Sequence, residues 1–421
     1  MALRAPCFDR GHEGGYVGLH GEAESGLQGT LKSVKFPYAI RDSPNLWSVR
    51  LSGLTIRHFR NLGSQELELP VEGVALIGDN AQGKSNFLEA IYYLETFRSF
   101  RGARDEQLVA FQQGVFRVSA TLEADEVDGS SQVAAAFEKR GKRKKVSVDG
   151  VEPDRMGDAL GRLGAVIFSP ADVDLVSGGP SERRRFLDIV LSLGEPGYLA
   201  ALQDYRKILA RRNASLKDGQ PGAVVMAWDR GLVTSGSVVM RARRSWIERQ
   251  CGAFRNYYRE VSDGAGARMT YRPNVALAGA VSEEDVAAAF REALSNATER
   301  ERRLGTTVVG PHRDDFVLRL EDDSDGLDLR AYGSGGQRRT AALALRLAEA
   351  KTIRETRQRA PLILLDDVFA ELDMGRSERV LALMEREDIG QVVLTSPKEA
   401  DVKIRRDSLP RWRIEAGRIT A

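Results

Sequence analysis

An apolar strand, a glycine-framed loop and a helix follow one another in the stretch Val74-Ala75-Leu76-Ile77-Gly78-Asp79-Asn80-Ala81-Gln82-Gly83-Lys84-Ser85-Asn86-Phe87-Leu88-Glu89-Ala90. The two glycines allow the loop to fold back so that its backbone N–H groups point inward. Lys84 can then reach the β- and γ-phosphates of a nucleotide, and Ser85 can bind Mg²⁺. A strand-to-helix turn with an accidental Lys-Ser is the alternative, but both flanking elements lie where a P-loop requires them. Nucleotide contacts are expected from Gly78, Asp79, Asn80, Ala81, Gln82, Gly83, Lys84, Ser85 and Asn86.

Composition narrows the class of protein. The 421 residues are 42% hydrophobic and 29% charged, which suits a globular chain with a substantial core. The net charge is only +2, so a nucleic-acid surface has to be a local patch. Two cysteines exclude a disulfide framework, and four scattered histidines argue against a histidine metal site. Because no apolar run is long enough to span a membrane, we expect a cytoplasmic protein.

A second phosphate-site element is expected much later in the chain. The run Leu362-Ile363-Leu364-Leu365-Asp366-Asp367 is an apolar strand followed by two acids, the form of a Walker B motif. Parallel strands present functional side chains at their carboxyl ends, which places this pair next to the P-loop. Asp366 is expected to hold Mg²⁺ directly or through water, and Asp367 to polarise the attacking water.

A third glycine-rich segment, Tyr332-Gly333-Ser334-Gly335-Gly336-Gln337-Arg338-Arg339, precedes a long helix rich in Ala and Leu. A serine and free N–H groups at a helix start offer a second anion site. An ordinary glycine-rich helix cap is the competing interpretation. The position of this segment ahead of the Walker B strand favours the anion site.

The order of these motifs resembles the ATP-binding-cassette superfamily of ATPases. The resemblance implies that Ser334, with Gly335, Gly336 and Gln337, caps the γ-phosphate held by the P-loop of a second subunit, so that ATP joins a head-to-tail dimer. It also implies that Asp373 lies in a loop at the dimer interface. Two positions depart from the wider pattern. The catalytic carboxylate is Asp367 rather than Glu, consistent with slow turnover, and Thr395 or Ser396 stands at the switch position where transporters have His. Asp373 and Thr395 are expected to contact the nucleotide, and Lys84, Ser334 and Asp367 to be catalytic.

Local motifs resemble one member of that superfamily, the RecF family of bacterial recombination mediators, from Val49 to the C-terminus. They are Ile56-Arg57-His58-Phe59-Arg60-Asn61-Leu62, Phe168-Ser169-Pro170-Ala171-Asp172, Gly178-Gly179-Pro180, Arg183-Arg184-Arg185-Phe186-Leu187-Asp188, Tyr205-Arg206-Lys207, Arg211-Arg212-Asn213, Gly310-Pro311-His312-Arg313-Asp314-Asp315 and Leu365-Asp366-Asp367-Val368-Phe369-Ala370-Glu371-Leu372-Asp373. The resemblance implies ATP and Mg²⁺ as cofactors, an ATP-dependent homodimer that binds DNA, weak DNA-dependent ATP hydrolysis, and RecA loading at gaps with RecR and RecO. It adds Arg60 and Asn61 to the nucleotide contacts. The alternative is a nucleotide-binding subunit of another machine of this superfamily.

The resemblance and the periodicity together predict an α/β fold: an ABC-type ATPase head with a mixed sheet and a mostly helical inserted lobe. We expect a flexible extension over residues 1–48, a first part of the ATPase lobe over 49–180, the helical insertion over 181–304, and the rest of the ATPase lobe over 305–421. Further β segments are predicted at Thr306–Val309 and Leu327–Ala331. The segment Ala265–Val275 looks irregular, with room for a short strand, and Ser169–Asp172 is the favoured Q-loop.

Clusters of basic residues are candidates for DNA contact, although an isolated charge run is more often a solvated surface. They are Lys139 to Lys145, Arg183 to Arg185, Arg211-Arg212, Arg241-Arg243-Arg244 and Arg300-Arg302-Arg303. Without aromatic residues interleaved in a basic strand, contact with the duplex backbone is favoured over stacking on single strands. His312 is expected to belong to a structural or interface network rather than to a metal site.

Overall fold

The computed structural model describes residues 49–124, 129–277, 279–280, 282–321, 326–387, 390–397 and 409–421, and the extension predicted for residues 1–48 lies outside them. The strands are β1 (Val49–Arg57), β2 (Gln65–Glu68), β3 (Gly73–Ile77), β4 (Val115–Ala124), β5 (Ser130–Glu138), β6 (Arg143–Val148), β7 (Ala165–Phe168), β8 (Ala267–Arg272), β9 (Asp315–Leu320), β10 (Leu362–Asp366), β11 (Val392–Ser396), β12 (Arg411–Glu415) and β13 (Arg418–Thr420). The helices are α1 (Lys84–Thr96), α2 (Asp105–Leu108), α3 (Asp174–Ser177), α4 (Pro180–Gly194), α5 (Tyr198–Lys217), α6 (Gly222–Met226), α7 (Asp229–Ser262), α8 (Glu283–Leu304), α9 (Leu329–Tyr332), α10 (Gly335–Arg357) and α11 (Met374–Arg386). Short 3₁₀ turns lie at Met156–Ala159, Pro170–Val173, Pro311–Arg313 and Val368–Glu371.

The central sheet carries the predicted P-loop. Its strand order is β13-β12-β3-β11-β10-β7, parallel except for the antiparallel closing pair β12 and β13, so the sheet is mixed as predicted. In the register of the sheet, Thr395 of β11 lies between two partners, Asp366 of β10 on one side and Leu76 of β3 on the other. The carboxyl ends of β3, β10 and β11 therefore meet at one edge.

Two cores cover the two faces of this sheet. Side chains alternate between them along each strand: Ile363 and Leu365 belong to one core, and Leu362 and Leu364 to the other. The first core holds the apolar sides of α4, α7 and α10. The second holds α1 between the central sheet and an antiparallel sheet of order β2-β1-β4-β5-β6. Strands buried on both faces explain why their sequences are continuous apolar runs.

The helical region between β7 and β9 has a smaller core of its own. Tyr205, Leu232, Met240 and Phe290 pack together there from α5, α7 and α8. The 34-residue helix α7 also contributes Trp246, Phe254 and Tyr258 to the first core. It therefore ties the helical region to the central sheet.

The prediction of a β segment at Thr306–Val309 is wrong. Glu301, near the end of α8, accepts hydrogen bonds from the backbone N–H groups of Thr306 and Val308, and Asn213 accepts one from Thr307. These bonds satisfy the backbone donors without a partner strand, so tertiary contacts override the β propensity of the sequence.

A second prediction, a β segment at Leu327–Ala331, is wrong except for an isolated antiparallel bridge between Asp328 and Arg319 of β9. The Asp328 carboxylate accepts a hydrogen bond from the Arg330 N–H and starts helix α9 at Leu329. The segment Ala265–Val275, expected to be irregular, contains a regular strand, β8, which pairs with β9. Residues Gln65–Glu68 form an edge strand that the sequence pattern did not indicate.

Across the described ranges, no helix is both long and apolar enough to cross a membrane.

Candidate nucleotide site

The predicted P-loop joins β3 to α1. Asp79, Asn80 and Ala81 form an exposed tip, whereas Gly83 and Lys84 are buried at the base of the loop. Gly83 caps α1 with a φ of 119°, a conformation that L side chains rarely adopt, and a Cβ there would approach the Asn61 side-chain oxygen at 3.0 Å. The second glycine of the motif is therefore required by backbone geometry.

Lys84 and Ser85 close the base of the loop. The Lys84 amine donates hydrogen bonds to the carbonyls of Gly78 at 2.8 Å and Asp79 at 3.1 Å, which holds it under the loop tip. The Ser85 hydroxyl donates to Asp366 Oδ1 at 2.8 Å, across 281 residues of sequence. The Walker A serine and the Walker B aspartate therefore lie side by side, as the sequence predicts.

Asp366 is buried at the end of β10, and this burial raises the pKa of its carboxyl. The hydrogen bond from Ser85 opposes the increase, whereas the neighbouring Asp367 carboxylate adds to it. A cation bound beside these two carboxylates would stabilise their ionised forms.

Thr395 joins the two acids. Its hydroxyl lies 3.1 Å from Asp366 Oδ1 and 3.4 Å from Asp367 Oδ1, and it accepts a hydrogen bond from the Asp367 N–H at 3.1 Å. Asp367 itself has a φ of 48°, in the left-handed region that few non-glycine residues adopt. Thr395, one of the two residues expected at the switch position, therefore contacts both acids and binds the Asp367 backbone in its left-handed turn.

A contact that the sequence did not reveal comes from the C-terminal turn between β12 and β13. Gly417 donates its N–H to the Gln82 carbonyl at 2.9 Å, and the Gln82 side chain accepts the N–H of Ala416 at 2.6 Å. The Gly417 carbonyl in turn accepts the N–H of Gly63 at 3.0 Å. We call this arrangement the C-terminal clasp. Its only sequence signal was a glycine in a predicted hairpin turn, with nothing to indicate the P-loop as its partner.

The segment after β1 supports the loop from the other side. The Asn61 amide donates to the Gln82 carbonyl at 3.3 Å, and its oxygen accepts a hydrogen bond from Asn86 at 2.7 Å. Arg60 forms a bidentate pair with the buried Glu89 of α1, at 2.9 and 3.0 Å. Asn61 therefore positions the loop, and a direct contact of Arg60 with a nucleotide stays a prediction, since its guanidinium is already engaged.

The predicted signature serine is exposed and caps α10. Its hydroxyl accepts the Gln337 N–H at 3.2 Å, and Gln337 accepts the Ser334 N–H at 2.7 Å, a reciprocal capping box. The Asp373 carboxylate caps α11 by accepting a hydrogen bond from the Arg376 N–H at 2.9 Å, and this bond lowers the pKa of the carboxyl. A Cβ at Gly336 would approach Arg376 Nη1 at 2.6 Å, so the two helix starts are neighbours.

The favoured Q-loop segment is a structural cap. The Asp172 carboxylate accepts the Ser169 N–H at 2.8 Å and a hydrogen bond from Arg346 of α10 at 2.6 Å. Arg346 also binds Glu349 at 2.7 Å, so this segment is fixed to the helix that follows the signature.

The donor set at the Walker residues suits Mg²⁺. Ser85 and Asp366 offer two oxygen ligands at the loop base, and Mg²⁺ takes the rest of its shell from phosphates and waters. No group of three or more His, Cys, Asp or Glu residues within the described part of the chain could hold a metal by itself. A metal at this position would therefore depend on a bound nucleotide.

Three arginines of the basic clusters predicted to contact DNA are instead buried and paired with acids: Arg183 with Asp315, Arg212 with Glu301, and Arg243 with Asp188. These three are buried in ion pairs rather than exposed in basic surface patches, so the prediction of such patches fails for them. Basic side chains that remain on the surface include Arg140, Arg211, Arg241, Arg300, Arg302 and Arg303.

The expected network around His312 is present. Its Nε2 faces the Thr307 carbonyl at 3.1 Å, which can only accept, so Nδ1 accepts from the Tyr205 hydroxyl at 2.6 Å. Burial lowers the pKa of His312 to about 4, so its imidazole is neutral at physiological pH.

Comparisons with known proteins agree with this architecture. The sequence profile of the RecF/RecN/SMC N terminal domain matches residues 50–410. The DNA replication and repair protein RecF of Synechococcus sp. (strain JA-2-3B'a(2-13)) is 40% identical over 344 residues, which cover 80% of this chain and 89% of that protein. The RecF protein of Citrifermentans bemidjiense is 36% identical over 377 residues, covering 88% of this chain and 100% of that protein.

Solved structures extend the likeness to three dimensions. A structure described as "the recombination mediator protein RecF-ATP in RecFOR pathway" is 30% identical and has a TM-score of 0.81, with 90% of this chain and 99% of that chain covered. The corresponding RecF-ATPrS structure has a TM-score of 0.79 at 31% identity, with 88% and 98% covered. The chain therefore belongs to the RecF family of DNA replication and repair proteins.

Proposed function

We propose that this chain is an ATP-dependent DNA-binding ATPase of recombinational repair and replication restart, whose nucleotide site is completed by a second copy of the chain. The observation that carries the proposal is the contact of Ser85 with Asp366 beneath a loop closed by Lys84. This is the base of a nucleoside triphosphate site, and a family member of matching fold has been solved with ATP.

The roles of the site residues follow from their positions. Lys84 leaves its two loop carbonyls to bind phosphate oxygens, which are stronger acceptors. Ser85 and Asp366 hold Mg²⁺, which neutralises phosphate charge when bound. Asp367, fixed through Thr395, orients the attacking water. Its short side chain supports slow hydrolysis, and a dependence of the rate on DNA belongs to the same proposal.

Dimerisation is supported by the surface around the signature. Ser334 and Asp373 are exposed at neighbouring helix starts, and two large apolar side chains beside them are also exposed, Tyr332 at 72% and Met374 at 82%. An apolar surface next to exposed helix N-termini suits the phosphate-bearing face of a second copy. A head-to-tail dimer would place Ser334 of one copy over the P-loop of the other.

The dimer is tested by light scattering of the full chain with ATP, with ADP and without nucleotide. With Asp367→Asn to block hydrolysis, ATP should double the mass. Ser334→Arg in that background should remain monomeric, whereas Ser295→Arg, an equally charged change at an exposed position of α8, should still dimerise. A monomer in the presence of ATP and Asp367→Asn would sink the proposal, and so would an equal loss in both arginine variants.

DNA binding belongs to the same proposal. The exposed basic residues of the β5–β6 tip and of α8 support contact with duplex and gapped DNA through phosphates, each neutralised phosphate steepening the salt slope by about 0.9. Family membership supports RecR- and RecO-type partners, RecA loading at gaps and a cytoplasmic location. ATP-dependent retention on gapped duplex, lost in Lys84→Ala, is the corresponding measurement.

The second candidate is a nucleotide-binding subunit that moves a membrane partner. Family membership argues against it. Co-purification with membranes rather than with DNA would favour it.

A further inference from the structure

A cavity of about 180 Å³ lies in the helical region, away from the P-loop residues. Its lining comes from α4, α5, α7 and the 3₁₀ turn before β9, and includes four arginines: Arg184, Arg185, Arg206 and Arg243. We call it the arginine cleft. At this volume it is smaller than the roughly 300 Å³ lower end of drug-sized pockets, so it suits a small ligand.

Positive charge in the cleft exceeds the negative charge that it meets. Asp188 is the one carboxylate of the lining, and it is shared by Arg206 at 2.7 Å and Arg243 at 2.8 Å. Arg184 donates instead to the backbone carbonyl of Asp314 and Arg185 to that of Ser99, and within the described ranges neither forms an ion pair.

The electrostatics of the neighbouring groups agree with this excess. Burial and the charge of Arg243 lower the pKa of Arg184, although Asp315, Asp314 and Asp188 oppose the decrease. The remaining polar lining is neutral, since the pKa of His312 is about 4 and the Tyr205 hydroxyl is bound to its ring. Asp314, below the cleft, lies 3.6 Å from Arg243 and only partly offsets it. A group of guanidinium ions that nearby carboxylates only partly neutralise is expected to attract an anion.

The geometry distinguishes among anions. The guanidinium groups approach from three different helices, two from α4 and one each from α5 and α7. A carboxylate presents two oxygens in one plane and can satisfy one such group, whereas a phosphoryl group presents oxygens in several directions. The apolar residues Leu202, Leu209 and Val239 limit the depth of the cleft.

We propose that the arginine cleft is a second anion site, separate from the P-loop, which binds one or two phosphoryl groups. The source is either a free phosphoryl compound or the phosphates of a nucleic-acid strand. This site does not depend on the proposed dimer, because all of its lining residues belong to one chain.

The test is calorimetric titration of pyrophosphate into the full chain carrying Lys84→Ala, which removes the amine of the P-loop. We expect one pyrophosphate per chain, with malonate binding at least tenfold more weakly. Adding Arg184→Gln should weaken pyrophosphate binding about tenfold or more, as expected for loss of a charged hydrogen bond. Arg249→Gln, the same charge change at an exposed position outside the cleft, should alter it less than twofold.

A further variant separates binding from folding. Ser181→Glu adds a carboxylate to the first turn of α4, three and four residues before Arg184 and Arg185, where a negative charge stabilises a helix. Its thermal unfolding temperature should stay equal or rise while its pyrophosphate affinity falls. If Arg184→Gln and Ser181→Glu both bound pyrophosphate as tightly as Arg249→Gln does, the proposal would be overturned. Malonate binding as tightly as pyrophosphate would overturn it too.

The same variants identify the source of the phosphoryl group. If the cleft takes DNA phosphates, Arg184→Gln should weaken duplex binding and reduce the salt slope by about 0.9 relative to Arg249→Gln. If it takes a free compound, duplex binding should be equal in the two variants while pyrophosphate binding differs.

Discussion

The C-terminal clasp offers the sharpest test of how this chain builds its nucleotide site. Gly417 has a φ of +78°, and a Cβ there would lie 1.9 Å from the Asn61 carbonyl oxygen. Gly150, in the turn after β6, has nearly the same φ of +79°, and a Cβ there would meet nothing within 4 Å. The substitutions Gly417→Ala and Gly150→Ala therefore share one backbone penalty and differ in the collision.

The size of the difference follows from the contacts. Each substitution costs roughly 1–2 kcal/mol of stability because alanine has to adopt the left-handed conformation. At Gly417 the turn also has to move from Asn61, which breaks the hydrogen bonds of Gly417 with Gln82 and Gly63. At about 1 kcal/mol each, these add about 2 kcal/mol. If nucleotide binding has to restore the clasp, affinity should fall about tenfold to thirtyfold.

The measurements are thermal unfolding without ligand and titration with a fluorescent ATP analogue. We expect Gly150→Ala to bind the analogue like the unchanged chain, and Gly417→Ala to unfold at a lower temperature than Gly150→Ala and to bind the analogue more weakly. Equal nucleotide affinity in the two variants would show that the clasp does not support the loop, and equal stability would show that the collision is relieved without loss.

Three further predictions concern single side chains. Asp366→Asn should abolish Mg²⁺-dependent nucleotide binding yet stabilise the chain without ligand. Because burial raises the pKa of this acid, its contribution to stability falls as pH rises through that pKa, so the gain in unfolding temperature of the variant should grow between pH 4 and 8. A variant that is less stable than the unchanged chain at pH 8 contradicts this. Because the pKa of His312 is about 4, the stabilising contribution of its neutral imidazole is complete above about pH 6.5 and is lost as pH falls. Between pH 7 and 4.5 the free energy of unfolding in urea should therefore fall by about 2 kcal/mol less for His312→Gln than for the unchanged chain. Parallel curves of unfolding free energy against pH would exclude this role. Thr395→Val leaves the Asp367 N–H without its acceptor, so steady-state ATP turnover should fall about tenfold or more while KM changes little, and Thr395→Ser should retain activity.

The nucleotide loop and the Walker B strand were predictable because their signals are local. Glycine spacing, a flanking apolar strand and a helix start define the P-loop, and a parallel strand carries Asp366 to the edge where Ser85 lies. The Ser334 cap was also predictable, since a capping box needs only three residues of spacing.

What the sequence did not reveal depends on distant partners. Arg183 looked like part of a surface patch because its partner, Asp315, is 132 residues away. The segment Thr306–Val309 has β propensity, but its backbone N–H groups donate hydrogen bonds to Glu301 and Asn213 instead of to a neighbouring strand. In each case a long-range contact, invisible to a pattern of neighbours, decides the outcome.

The clasp also orders events during synthesis. The Gln82 side chain of the P-loop accepts the Ala416 N–H across 334 residues of sequence. A ribosome makes the loop long before it makes this turn, so a growing chain displays the motif before it can complete the site. Nucleotide binding of full strength therefore needs residues made long after the P-loop, and a chain truncated before β12 should bind ATP more weakly than the full chain.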